Sequence, residues 1–278
     1  MNQRKILLKI KKILITFAAI LILSFLFFPF FWATVSSFMH ETELFSRTPK
    51  IAFSTLDNYI TLFQDSFFIN ALKNSAILAP LTTLLTLLIS TFSSYGLSRM
   101  RIPGRGALLL LIVFFQMLPT LAYIVPLFVF FNALKLLGTY YGLIIVFTLL
   151  NLPLSVYLLK TYFDSLPYGL EEAALVDGAS YLTIITRIIL PLSLPGLFTV
   201  GIFAFTGAWN ELLFALVFSD STTQTLPVKI VGYGQVSGHT RIALMLTGSV
   251  ITSIPPVIIA LLFSKYLLKG LTSGAFKY

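Results

Sequence analysis

Apolar residues along this chain gather into six long runs, each separated from the next by a shorter stretch rich in basic residues, glycine or proline. The runs cover about residues 13–35, 71–96, 107–131, 141–162, 194–218 and 242–267. Each is near or above the roughly 20 residues that cross a bilayer as a helix. The pattern predicts an all-α integral membrane protein with six transmembrane helices, forming one membrane domain over residues 1–278. Arg4, Lys5, Lys9, Lys11 and Lys12 precede the first run as they would a signal peptide. Its apolar stretch exceeds the ~7–15 residues of a signal core and no small-x-small cleavage site follows, so a retained anchor is expected. Pro80, Pro119, Pro126, Pro153, Pro255 and Pro256 lie in or beside spans, where they are expected to kink helices or free carbonyls that line a cavity.

Composition agrees with this pattern. The chain is 57% hydrophobic, with 27 Phe and only 10% charged residues, and its mean hydropathy is +0.93. A net charge of +9 could suggest nucleic acid, but the basic residues sit in the gaps between apolar runs and not on one face of a water-soluble domain. With no Cys and only His40 and His239, thiolate metal sites, disulfides and a histidine centre are not expected. The positive-inside rule assigns sides. Arg4, Lys5, Lys9, Lys11, Lys12, Arg99, Arg101, Arg105, Lys160, Arg187, Lys265, Lys269 and Lys277 fall on one side. Arg47, Lys50, Lys73, Lys135, Lys229 and Arg241 fall on the other. Both termini and the loop of about residues 163–193 are then cytoplasmic.

That loop is far longer than a connection requires. It carries "EEAALVDGASYLTIITRIILP", residues 171–191, with three carboxylates in seven positions. Two short helices are predicted. Ser165 would cap the first, with Pro167 in its first turn, and Gly178 would stop it in the left-handed conformation. Ser180 would cap the second, and Pro191 would close it. Ala174 and Gly178 share a face beside Asp177, leaving room for another surface to approach. A solvated amphipathic loop helix is the plainer reading of the same residues.

The stretch closely resembles the cytoplasmic signature of ABC-importer permeases: Glu-Ala-Ala, Asp-Gly-Ala, then Ile-x-Leu-Pro. "NALKNSAILAP", "YGLSRMRIPGR", "WNELLFAL" and the tail "GLTSGAFKY" extend the resemblance to the carbohydrate-uptake branch, in particular the second permease of maltose-type systems. It implies a type I ABC importer permease fold in which the loop is a coupling helix docked in a groove of a separate ATPase. By resemblance the coupling residues are Glu172, Ala173, Ala174, Asp177, Gly178, Ala179, Ile188, Leu190 and Pro191. Ala173, Ala174 and Gly178 would pack closely, and Glu172 and Asp177 would pair at the rim. It further implies a second homologous permease, two ATPase subunits that bind ATP and magnesium, and an external binding protein that delivers a sugar. No cofactor is expected on this chain. The outer loop "SDSTTQTLPVKIVGYGQVSGHT" would meet the binding protein, or be simply solvated.

Within the spans, Trp209, Asn210 and Glu211 offer an aromatic face and hydrogen-bonding groups suited to sugar. A buried acid must face a cavity or a partner, and interhelical packing would also account for the trio. Gln116, Asn151 and Asn74 are weaker substrate-path candidates of the same kind. No phosphate-cradling Gly-x4-Gly-Lys-[Ser/Thr], metal-ligand spacing or nucleophile–base pattern appears, so an enzyme is not expected. An ion-coupled carrier would place several ionisable groups near the midplane; this chain offers only Glu211, off-centre. A glycerophosphate or other polar solute is the alternative cargo.

Overall fold

The computed structural model describes residues 2–46, 53–235 and 241–272. Arg47, Lys50, His239, Lys277 and the end of the tail motif (273–278) lie outside the described residues. In chain order the helices are α1 (Asn2–Ser36), α2 (Glu41–Leu44), α3 (Asp57–Gln64), α4 (Ser66–Arg99), α5 (Arg105–Met117), α6 (Leu121–Ala133) and α7 (Tyr140–Asp164). They continue as α8 (Gly169–Val176), α9 (Tyr181–Ile184), α10 (Leu190–Leu192), α11 (Leu194–Trp209), α12 (Leu213–Phe218), α13 (Leu226–Gly232) and α14 (Ile242–Thr272). A π-helical turn, Ile185–Ile189, joins α9 to α10, and a 3₁₀ turn, Tyr233–Gln235, follows α13. No strand occurs among the described residues.

The first, second, fourth and sixth expected spans are the single helices α1, α4, α7 and α14, all long and apolar enough to cross a membrane. The third expected span is not one helix. It is α5 and α6, bent by 99°, because Pro119 lacks an N–H and forces its predecessor out of the helical region: Leu118 is extended, at φ −69 and ψ 138. The fifth expected span, 194–218, is likewise interrupted between α11 and α12. There the Phe214 N–H donates to the Glu211 carboxylate at 2.8 Å instead of to the helix ladder.

The chain forms two compact units. The first comprises Met1–Asp65 and Ile230–Thr252. In it Glu41 accepts from the N–H groups of Ile242 and Ala243 at 2.8 and 2.9 Å, so a distant carboxylate caps the start of α14. Thr247 donates to the Ser37 carbonyl, Asn58 to those of Ser37 and Met39, and Tyr233 to Asp65 at 2.6 Å. The apolar side chains of α1 from Leu8 to Phe31 stay exposed, whereas Val35 near its end is buried.

The second unit, Ser66–Lys229 with Ser253–Tyr278, is built on α4, α7 and α11. α4 and α7 run parallel. Tyr140 donates to Asn74 at one end, Ser94 to the Val156 carbonyl farther along, and Ser98 to Asp164 at the other end. A parallel pair requires the chain between them to return across the full length, so α5 and α6 together make one crossing. α11 runs antiparallel to α7: Gly196 lies against Tyr162, and Gly207 against Asn151. Along α4, Thr82, Thr86, Ser90, Ser94 and Ser98 are buried at every fourth position. Small polar residues of this kind let helices approach closely within a bilayer.

Candidate functional site

The loop predicted to be the working part folds at the end of the second unit where α4 and α7 finish. Its first helix begins later than expected. Ser165 does not cap it but donates to the Tyr162 carbonyl at 2.6 Å, closing α7, and α8 starts at Gly169. Gly178 does end α8, at φ +81, a conformation costly for any residue with a Cβ. Ser180 does cap α9, accepting from the Thr183 N–H at 3.2 Å. Pro191 does not close the second segment. The helix passes through it to Leu192, and the preceding π turn widens the coil where a proline would clash with the carbonyl four residues back.

What holds α8 in place is a buried ion pair. Arg99 Nε donates to Glu171 Oε1 at 2.6 Å, with the two side chains only 5% and 8% exposed. Tyr95 donates to the other carboxylate oxygen at 3.0 Å. The Arg99 guanidinium also donates to Ser98 Oγ and to the Leu166 carbonyl, and stacks 4.1 Å above the Tyr168 ring. Tyr168 in turn donates to the Ser98 carbonyl, and Asp164 takes Ser98 on one side and Lys160 on the other. Removing one partner of such a buried pair costs on the order of 3–5 kcal/mol.

The signature residues divide between two faces. Ala174, Ala179, Ile188 and Leu190 turn inward, onto a core of Tyr95, Leu159, Phe163, Ile184, Ile185, Ile189 and Val200. Glu172, Ala173, Asp177, Gly178 and Pro191 are exposed. Beside them Leu175, Val176, Tyr181 and Leu182 are exposed too, Val176 to 88%. The result is an apolar patch across α8 and the start of α9, edged on α8 by Glu172 and just past it by Asp177. The sequence reading passes over Glu171, Arg99, Tyr95 and Tyr168 as functional residues. Their signal is the third carboxylate of the stretch and an arginine ending the second apolar run.

A cavity of about 670 Å³ lies within the same unit, between α4, the bent α5–α6 pair and α7. Gln116 and Glu211 line it, together with Ser93, Phe115 and Tyr123. The other candidates do not line it. Trp209 is buried and stacks on Phe205, with ring centroids 5.6 Å apart. Asn210 is exposed at the end of α11. Asn151 donates to the Phe147 carbonyl and packs so close to Gly207 that a Cβ there would collide with its Oδ1. Asn74 fastens the loop after α12 instead, donating to the carbonyls of Thr222 and Gln224 at 2.9 Å. In that loop the hydroxyl and N–H groups of Thr222 and Thr223 hold the Asp220 carboxyl well below its usual range, at about 2.

The model of the family described as "Binding-protein-dependent transport system inner membrane component" matches residues 96–273. The chain is similar to the trehalose/maltose transport system permease protein MalG of Thermococcus litoralis, at 40% identity over 96% of this chain and 98% of that protein. It is also similar to the sulfoquinovosyl glycerol transport system permease protein SmoH of Agrobacterium fabrum, at 35% identity over 94% and 92%. Among solved structures, a bacterial ABC transporter involved in importing the acidic polysaccharide alginate has a chain of the same fold. Its TM-score is 0.74 at 20% identity, covering 96% of this chain and 98% of that one.

Proposed function

This chain belongs to the binding-protein-dependent transport system inner membrane components, and from that premise we propose that it is a permease subunit of an ATP-driven ABC importer that carries a sugar or oligosaccharide across the inner membrane. ATP is hydrolysed on a separate ATPase subunit, with ATP and magnesium bound there. An external binding protein delivers the sugar, and a second homologous permease completes the pore. The loop end of the second unit is cytoplasmic, in keeping with the basic residues Arg99, Arg101, Arg105, Lys160 and Arg187 that cluster there.

The observation that carries this reading is the exposed apolar patch of α8, edged by Glu172 and Asp177 and mounted on a buried ion pair. A solvated connecting helix needs neither an 88% exposed Val176 nor a buried anchor beneath it. A groove in a partner accounts for both. The sugar reading draws on the cavity. Its volume is within the range of about 300–1,000 Å³ usual for small-molecule sites. Phe115 and Tyr123 supply flat faces, while Ser93, Gln116 and Glu211 supply hydrogen-bonding groups. Among the described residues no basic side chain lines it, which favours a neutral sugar over a glycerophosphate.

Val176→Asp tests the docking face directly. Expressed together with its partner permease and ATPase, the variant is expected to reach the membrane at parental level but to copurify with little ATPase. Copurification and uptake both at parental level would refute the reading.

A further inference from the structure

We propose that the Arg99–Glu171 pair, braced by Tyr95 and Tyr168, is a positioning strut that makes α4 follow any displacement of α8 and so moves one wall of the cavity. The inference rests on the reading of α8 as the ATPase-docking helix and adds how its motion reaches the transport path. α8 has a glycine at each end, Gly169 as its first residue and Gly178 two residues past its last. Such ends make poor levers, since glycine gives the backbone its widest freedom. The stiff connection from α8 to the spans is through Glu171. One of its oxygens takes Arg99 and the other Tyr95, both on the last turns of α4.

The chemistry suits force transmission better than stability. A buried ion pair is often no more stabilising than apolar packing of the same volume. Apolar side chains can slide, however, whereas a guanidinium held by Glu171, Ser98 and the Leu166 carbonyl, and stacked on Tyr168, has one orientation. The path beyond is short. Ser93, which lines the cavity, precedes Arg99 by six residues on the same helix, about 9 Å at the helical rise. Ser98 also holds Asp164 at the end of α7, and α7 supplies Leu149, Leu150, Leu152, Pro153 and Val156 to the same cavity. A packed bundle of this kind switches as rigid pieces.

The chain has no Cys, so Ser93→Cys places a single thiol reporter on the cavity wall. In the assembled importer, the rate at which a maleimide labels the Ser93→Cys chain is measured with and without ATP and magnesium. Without the strut substitution, ATP is expected to change that rate. In the complexes that assemble, Glu171→Gln is expected to reduce the ATP-dependent change about tenfold, within the usual range of coupling between sites. An undiminished response overturns the strut. Loss of copurification matching that of Val176→Asp overturns it too, because the pair would then only shape the docking face. If Glu171→Gln does not fold and reach the membrane, Tyr95→Phe carries the test: it removes one hydrogen bond without stranding a charge. A reduced response with normal copurification supports the strut, and an unchanged response refutes it. Normal copurification and uptake by Val176→Asp would instead refute the docking reading itself.

Discussion

Glu211 serves the fold and faces the cavity at once, accepting the Phe214 N–H while lining the cavity. Two substitutions separate those roles. Gln keeps an acceptor and removes the charge; Ala removes both. Glu211→Ala is expected to cost about 1 kcal/mol, as loss of a helix cap does, lowering both the melting temperature of the detergent-solubilised complex and uptake. Glu211→Gln is expected to leave melting unchanged and reduce uptake several-fold. If uptake is parental in both variants, Glu211 is not in the substrate path. The adjacent pair Glu171 and Glu172 shows how far residue-level reading reaches. The local sequence marks both as acids near a helix start, and the resemblance points to Glu172. Which of them turns inward depends on Arg99, 72 positions away, and no local pattern encodes that distance.

Among the elements, α1, α4, α7 and α14 are legible from apolar length alone, and the Gly178 stop and Ser180 cap from residue chemistry. The bend at Pro119 is half legible, since proline announces a disturbance but not an angle of 99°. The break before α12 is not legible. A side chain that captures an N–H inside an apolar run leaves no periodic trace. The buried line Thr82–Thr86–Ser90–Ser94–Ser98 is written plainly in the sequence at a spacing of four, yet an apolar-run reading passes over hydroxyls that lie among leucines. Its test is Ser94→Leu, which loses the bond to the Val156 carbonyl and overfills a close contact. A destabilisation of about 1–3 kcal/mol is expected, read as a lower melting temperature with α8 still able to bind ATPase. Unchanged melting would mean that the hydroxyl line does not set the spacing of α4 and α7.

For the whole molecule, sidedness is the quantity most directly open to experiment. In the second unit, α8 and the turn at Thr222 lie at opposite ends, since Ser98–Asp164 marks one and Asn74–Thr222 the other. Val176→Cys and Thr222→Cys, made singly in this cysteine-free chain, are expected to react with an impermeant maleimide from opposite faces of the membrane. The first should label from the cytoplasm and the second from outside. Reaction of both from one face would contradict the assigned orientation.

The pairing of α4 with α7 carries a consequence for the kinds of fluctuation the protein permits. Their fastenings at Asn74–Tyr140 and Ser98–Asp164 are 24 residues apart on α4, about 36 Å along the axis. Sliding one helix past the other requires both ends to open together, so its frequency scales as the product of two rare events. Lipid tails and small amphiphiles therefore have almost no time window in which to wedge into that seam.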